Sequence, residues 1–382
     1  MGVPESVFTV PLADLRRRKS LKWRRYAPDV LPLWVAEMDA SVPPGAAAAI
    51  SDALTRGDLG YPFGHGYAEA FADFAAERWG WRPDPAHTRL APDVLAGIRL
   101  LIALTTRPGD AVVINPPVYP PFFGEPGVVG RRALEVPLTA TGRLDLVALE
   151  DAFARPDVTA YLLCSPHNPT SVVHTRAELA AVAEASRRHG VTVIVDEIHA
   201  PFAPPGHVPY PSVDPAGFVV TSASKSWNLA ALKGALLIGG PSSAARLGEL
   251  SPFETEYAIG HLAVLAHTAA LTHDREWLDG VRAEVDENRA LLVRLIAEHL
   301  PAVRYAPGDG TYLAWLDLRD LDLPDPADHF LQHARVALNP GREFGADYAG
   351  FARLNLATSP QILTEAIVRV AASLSDGTHH RR

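Results

Sequence analysis

The stretch Thr192-Val193-Ile194-Val195-Asp196-Glu197-Ile198-His199 is an apolar run that stops abruptly at two acids. Four β-favouring residues followed by charge read as a short strand whose last residue reaches a polar rim. Similar runs lie on either side of it: Val112–Asn115 after the turn Pro108-Gly109-Asp110, Ala160–Cys164, Phe218–Ser222 and Ala235–Gly239. Each is closed by turn or polar residues. Between them, Arg176–His189 carries Leu179, Val182, Ala183 and Ser186 three and four apart, with Gly190 as a stop, which predicts a helix. Alternation of this kind predicts an α/β fold with a mostly parallel sheet flanked by helices.

Further along, the amphipathic segment Asp274–Leu300, ended by Pro301, predicts a long helix linking two domains. Tyr312–Leu318 and Arg353–Leu356 read as strands, Pro360–Leu374 as a last helix, and Ser375–Arg382 as a polar tail. The expected layout is a large α/β domain at 45–275, a small α+β domain built from 1–44 with 276–375, and a disordered tail at 376–382.

Composition narrows the function. The 382 residues are 48% apolar and 21% charged with a net charge of −9, enough apolar surface for a large core and the wrong sign for nucleic-acid binding. No apolar run approaches a membrane span. The start MGVPESVFTV lacks a secretory pattern, so a soluble cytoplasmic protein is expected. Gly2 and Ser6 fit a loose myristoylation pattern. An extreme arginine bias points instead to a GC-rich bacterial gene. A single cysteine, Cys164, excludes internal disulfides and multi-cysteine metal clusters, and no metal site is expected. Among 35 basic residues only Lys19, Lys22, Lys225 and Lys233 are lysines, so chemistry that needs a primary amine has four candidates. The basic run Arg16–Lys19 with Lys22, Arg24 and Arg25 reads as a solvated or dimer-facing arm.

Ligands of open α/β sheets bind beyond the carboxyl ends of the strands. Three such ends carry unusual polar groups: Cys164-Ser165-Pro166-His167-Asn168-Pro169, Asp196-Glu197-Ile198-His199 and Ser222-Ala223-Ser224-Lys225. They recur at about one strand-helix-strand unit, which would bring Asn168, Asp196 and Lys225 out of neighbouring strands. A buried lysine beside a carboxylate suits pyridoxal 5′-phosphate (PLP): the amine bonds the cofactor and the acid keeps the pyridine nitrogen protonated.

SPHNP, DEIH and SASKSWN in this order resemble fold-type I PLP enzymes, and most closely the MalY/PatB-type cystathionine β-lyase/aminotransferase subgroup. LKWRRY at 21–26, LPLWVAEMD at 31–39, LGY at 59–61, PGDAVVINPPVY at 108–119 and RLN at 353–355 agree with it. The likeness spans about residues 8–372 and implies the roles that follow. Lys225 is the Schiff-base lysine, Asp196 the partner of the pyridine nitrogen, Asn168 a donor to the 3′-oxygen, and Tyr119 a ring stacked on the cofactor. His199 is either a polar group near the cofactor or a structural histidine. Val94 and Leu95, opening the helix Val94–Leu104, stand at the phosphate cradle with Ser222, Ser224 and Lys233. Tyr61 reaches the phosphate of the neighbouring subunit, which implies a homodimer with shared sites. Arg353 takes the substrate α-carboxylate, and Trp34 and Ala36 line the same place. Cys164 reads as a buried strand residue rather than a nucleophile.

Two departures stand out. Ser171 occupies a position where the family has glycine, with Val172-Val173-His174 after it, and Ala200-Pro201-Phe202 follows DEIH. The implied function is a PLP-dependent carbon–sulfur β-lyase acting on cystathionine or another S-substituted cysteine, with an aminotransferase of the same fold as the alternative. A non-catalytic regulator on this fold would carry a DNA-binding module ahead of the region of resemblance, for which the sequence shows no room.

Overall fold

Valine-, isoleucine- and leucine-rich runs too short to make helices become the strands of one sheet. The computed structural model describes residues 6–376. Its large sheet holds β1 (Thr88–Ala91), β2 (Ala111–Ile114), β3 (Arg132–Glu135), β4 (Val158–Cys164), β5 (Thr192–Asp196), β6 (Phe218–Thr221) and β7 (Ala235–Gly239), in the spatial order β1-β7-β6-β5-β4-β2-β3. Only β7 runs against its neighbours, β6 and β1; the other pairings are parallel. The strands β2, β6 and β7 are buried along their whole length, as expected where helices cover both faces. The edge strand β3 carries Arg132 and Glu135 and half-buries only its centre, so it shows no apolar run and the sequence reading passes over it.

The longer helices among the described residues are α1 (Pro44–Arg56), α2 (Gly66–Trp79), α3 (Val94–Thr105), α4 (Arg176–His189), α5 (His261–His273), α6 (Arg275–His299) and α7 (Pro360–Asp376). α4 opens on a full capping box between Thr175 and Glu178 and ends at Gly190, whose φ of 70° only glycine adopts without cost. α3 lies close on the sheet because Gly97 has no side chain: a Cβ there would meet Leu237 at 2.6 Å and Val220 at 3.0 Å. Ile98, Leu101 and Ile102 of the same helix join Val112, Ile114, Leu162, Ile194, Val220 and Leu237 in the core.

Two compact units result: Val42–Asn168 with Val172–Arg275, and the described residues up to Ser41 with Pro169–Ser171 and those from Glu276. The smaller unit holds an antiparallel sheet of β8 (Arg304–Tyr305), β9 (Leu313–Asp317), β10 (Asn339–Pro340) and β11 (Phe351–Asn355), ordered β10-β11-β9-β8. A two-residue parallel pair, Leu31–Pro32 with Val336–Ala337, stands apart from it. Asp274, expected to open the long helix, is not helical. Its carboxylate accepts from the amides of Gly45 and Ala46 at 2.8 and 2.9 Å, satisfying the open start of α1. The final helix runs through Ser375 to Asp376, beyond the expected Leu374. Gly2 and the tail from residue 377 lie outside the described residues. No helix among the described residues is long and apolar enough to cross a membrane.

Candidate active site

Register across the large sheet aligns the three polar strand ends. Cys164 of β4 stands opposite Asp196 of β5, and Asp196 opposite Val220 of β6. Asn168 follows four residues after the first of these, and Lys225 five after the last. Asp196 is buried, and its Oδ1 accepts the amide of Ile198 at 2.9 Å. Burial pushes this carboxyl up to about 7; the Ile198 amide and the Lys225 charge work the other way without overcoming it. A buried acid so placed needs a cationic donor to ionise fully, and a protonated pyridine nitrogen is one. The donor set therefore fits the expected cofactor. Asn168 is buried, and its amide donates to the Cys164 sulfur at 3.4 Å. Burial drives the Cys164 thiol well up, with the Asp196 charge adding to it, so this cysteine is an inert strand residue.

The expected phosphate cradle is a true helix start. Asp93 caps α3 by accepting the Ala96 amide at 2.8 Å, with Val94 buried and Leu95 half-buried in the first turn. Burial works against the Asp93 charge, but the Ala96 amide and Lys233 hold its carboxyl below the usual range. Lys233 itself is exposed, its Nζ 3.0 Å from Asp93 Oδ2. That ion pair ties the second strand-end lysine to the cradle. Ser222 donates its hydroxyl proton to the Gly234 carbonyl at 2.6 Å and accepts the amide of half-buried Ser224 at 3.1 Å. This arrangement uses Ser222 to shape the lysine loop and weighs against it as a phosphate donor.

A tyrosine missed by the sequence reading supports the same loop. Tyr67 of α2 is buried, and its hydroxyl accepts the Ala223 amide at 3.3 Å, two residues before Lys225. The same hydroxyl lies 3.1 Å from Nδ1 of His267 on α5. Burial pushes the Tyr67 phenol up and holds His267 down at about 4, so both are neutral. No motif announced the pair, because 200 residues separate its members. His199 is buried, and its carbonyl closes the turn Ala200–Phe202 by accepting from Phe202 at 2.9 Å. Tyr119 is half-buried with its ring edge-on to Phe122 at 6.0 Å. Tyr61 is 78% exposed and meets Tyr257 edge-on at 6.0 Å.

The second group of expected site residues belongs to the smaller unit. Arg353 on β11 is buried, with its guanidinium 5.0 Å over the Phe344 ring. Its Nη2 donates to the Trp34 carbonyl at 3.0 Å and to Asn339 Oδ1 at 3.2 Å. Ala36 is buried and Trp34 half-buried, with an indole N–H that is buried yet donates to none of the described residues. The Ser171 departure is accommodated here. Ser171 keeps a φ of 60°, the left-handed region its glycine counterpart would favour. Its hydroxyl lies 2.5 Å from Thr311 Oγ1 and 2.6 Å from the Leu313 carbonyl. Gly308 packs on its backbone, where a Cβ would fall 2.7 Å from the Ser171 carbonyl oxygen.

One expectation is corrected. Lys22 is not solvated but completely buried, its Nζ 2.8 Å from Asp39 Oδ1 and donating to the Glu37 carbonyl at 3.0 Å. A basic run looks uniformly exposed in sequence, but the short helix Leu21–Arg24 turns Lys22 and Trp23 inward while Arg24 stays out.

A mostly parallel sheet carrying a buried acid at one strand end and a lysine in the loop after the next, with a capped helix start beside them, defines an enzyme scaffold of the PLP-dependent type. The chain belongs to the aminotransferase class I and II family, whose model matches residues 28–370. It is 34% identical over 370 residues to the cystathionine beta-lyase of Corynebacterium glutamicum, covering 95% of this chain and 99% of that one. A Mycobacterium tuberculosis protein provisionally named a cystathionine beta-lyase is 46% identical, covering 97% of this chain and 99% of its own. Among solved structures, a provisionally described PLP-dependent beta-cystathionase from Corynebacterium diphtheriae superposes with a TM-score of 0.90 at 36% identity, over 97% of this chain and 99% of that chain.

Proposed function

We propose that the protein is a PLP-dependent carbon–sulfur β-lyase that converts an S-substituted L-cysteine, such as cystathionine, and water into a thiol, pyruvate and ammonia. The observation that carries this reading is the buried Asp196, one strand over from the end that carries Lys225, in a chain similar to a cystathionine β-lyase over 95% of its length. When bound, the cofactor supplies an electron sink conjugated to the substrate nitrogen.

The chain's own residues do the rest. Arg353 receives the substrate α-carboxylate through its planar fork, with Trp34 and Ala36 beside it. Lys225 would hold the cofactor, and its amine would take the proton from the substrate Cα. Asp196 holds the proton on the pyridine nitrogen. The C–S bond would then break, its electron pair leaving with sulfur and the proton held by Lys225 passing to it, and water would hydrolyse the three-carbon enamine to pyruvate and ammonia. Asn168 and Tyr119 orient the ring. Val94, Leu95, Ser224 and Lys233 receive the phosphate, with Ser222 and His199 supporting the loops around it.

The active form is a cytoplasmic homodimer. Tyr61, Phe253 and Tyr257 stand exposed on the large unit with their rings in contact, an aromatic patch of the kind that a second copy covers. Tyr61 would then reach the partner's phosphate. A substrate panel scored in parallel for pyruvate, thiol and transaminated product tests the reaction. Equimolar thiol and pyruvate from cystathionine are expected. A yellow protein that releases no pyruvate from any S-substituted cysteine, yet aminates a keto acid, would make it an aminotransferase.

A further inference from the structure

The segment Leu33–Ala40 has no regular secondary structure, yet its carbonyls are held one after another by side chains of the same unit. Arg353 takes Trp34 O at 3.0 Å, and Asn355 takes Val35 O at 2.9 Å and Glu37 O at 2.7 Å. Tyr312 takes Ala36 O at 3.4 Å, and Arg18 takes Met38 O at 3.3 Å and Ala40 O at 2.7 Å. Lys22 adds a second donor to Glu37 O while pairing with Asp39, and Trp23 Nε1 donates to the same Asp39 oxygen at 3.1 Å. A strap of irregular backbone is stable only when its polar groups are satisfied in this way.

Two features single out Lys22 within that network. It and Asp39 are the most deeply buried charges in it, with side chains 0% and 1% exposed. A buried pair of this kind is weak evidence for added stability, which leaves positioning as the role to test. Composition supplies the second. A chain that uses arginine for nearly every basic position keeps lysine at only four, and Lys22 is the one that is fully buried. A compact ammonium fits between the Asp39 carboxylate and the Glu37 carbonyl, and the larger planar fork of arginine would have to be seated differently.

We propose that the buried Lys22–Asp39 pair is a positioning device for substrate recognition: it sets the Leu33–Ala40 strap, and through it Trp34, Ala36 and the Arg353 guanidinium that shares Trp34's carbonyl. This rests on the reading of Arg353 as the carboxylate site. Lys22 and Asp39 are positioning residues; neither touches reacting atoms.

The test compares wild-type holoenzyme with Lys22→Arg, Lys22→Met and the charge-free pair Lys22→Met/Asp39→Leu. The double variant matters because it leaves no unpaired buried charge and so keeps the fold. Four quantities are read: PLP affinity, the Kd for L-alanine from the cofactor's absorbance, KM and kcat for cystathionine, and amide exchange of the peptide spanning 31–40. L-alanine has the carboxylate and amine but no β-leaving group, so it reports binding without turnover. In Lys22→Met and the double variant, strap exchange quickens, and KM and the L-alanine Kd rise together by about tenfold or more. PLP affinity stays within twofold and kcat within threefold, and Lys22→Arg recovers only part of the loss. Faster strap exchange with unchanged Kd and KM overturns the proposal, as does an unchanged strap. A parallel fall of PLP affinity, kcat and substrate binding in the double variant overturns it too, by making the pair a general structural element. A wild type that binds L-alanine but releases no pyruvate from cystathionine or any other S-substituted cysteine sinks the lyase reading alone.

Discussion

The two groups of site residues are built by opposite means. In the large unit, Asp196 ends its strand, and Asn168 and Lys225 lie in the loops after the two strands that flank it and pair with it in register. In the small unit, Trp34 and Ala36 lie on a strap with no register at all, held by Arg18, Lys22, Tyr312, Arg353 and Asn355 through individual side-chain bonds. The first arrangement is rigid because the sheet is, and it suits groups that must hold a cofactor and move a proton. The second can be adjusted by changing one donor, and it suits recognition. On the proposed roles, chemistry starts from paired strand ends and specificity from single side-chain bonds.

The sharpest way to break that division is to remove the amine. Lys225→Ala should lower kcat by on the order of 10³- to 10⁴-fold, read in the pyruvate assay, because no other side chain at that strand end can take the Cα proton. A loss of tenfold or less would place the proton transfer elsewhere.

Next in size comes the carboxylate fork. Arg353→Lys keeps the charge but loses the planar pair of donors, at a cost of roughly 1.5–3 kcal/mol, so KM should rise about 10- to 100-fold with a smaller change in kcat. Equal loss in both constants would show that Arg353 acts in catalysis as well as binding, and the division between the two groups would blur.

Acid should act on the large unit. Burial holds His167 down at about 4, His267 at about 4 and His174 at about 3, with the His167 and Arg143 charges assisting in the last case. The unfolded chain binds protons at these histidines below about 6.5 while the folded one does not, so their contribution is intact above that pH and is lost as pH falls toward 4. In the apo-protein Asp196 acts in the opposite sense. Its folded carboxyl, raised to about 7, takes up a proton that the unfolded chain takes only near 3.8, so falling pH relieves its burial. Three groups oppose one. The net expectation is a loss of a few kcal/mol between pH 6.5 and 4, read as a falling Tm of the apo-protein. A Tm that rises over this window would show that the histidines are hydrated.

The smallest effect belongs to Ser171→Gly. Glycine relieves a left-handed φ that costs about 1 kcal/mol, but it forfeits the hydroxyl bonds to Thr311 and Leu313. Stability by chemical denaturation should change by less than about 1 kcal/mol. A larger loss would mean that the hydroxyl pair, rather than the backbone shape, holds this turn.

How much of this was legible follows from the same contrast. β4, β5, β6 and β7 were readable to within two residues because a buried strand must be apolar along its whole length. Their ends were readable because the polar residue that follows is forced to the rim. β3 was not, since an edge strand can carry Arg132 and Glu135 in water. Tyr67 was missed because its work is done 156 residues away, at the Ala223 amide. Lys22 was misread because a charged run carries no sign of which member turns inward.

By itself, the sequence determined the α/β alternation, the spacing that brings an acid and a lysine out of adjacent strands, and the motifs that place the chain in its family. These depend on local period and on distance along the chain. Only the tertiary structure decided that Asp196 is desolvated enough to titrate near neutrality, that Lys233 pairs with Asp93, that Ser222 bonds to Gly234, and that Lys22 is buried. Each of those depends on what a side chain meets across the fold, and a linear pattern holds no record of that.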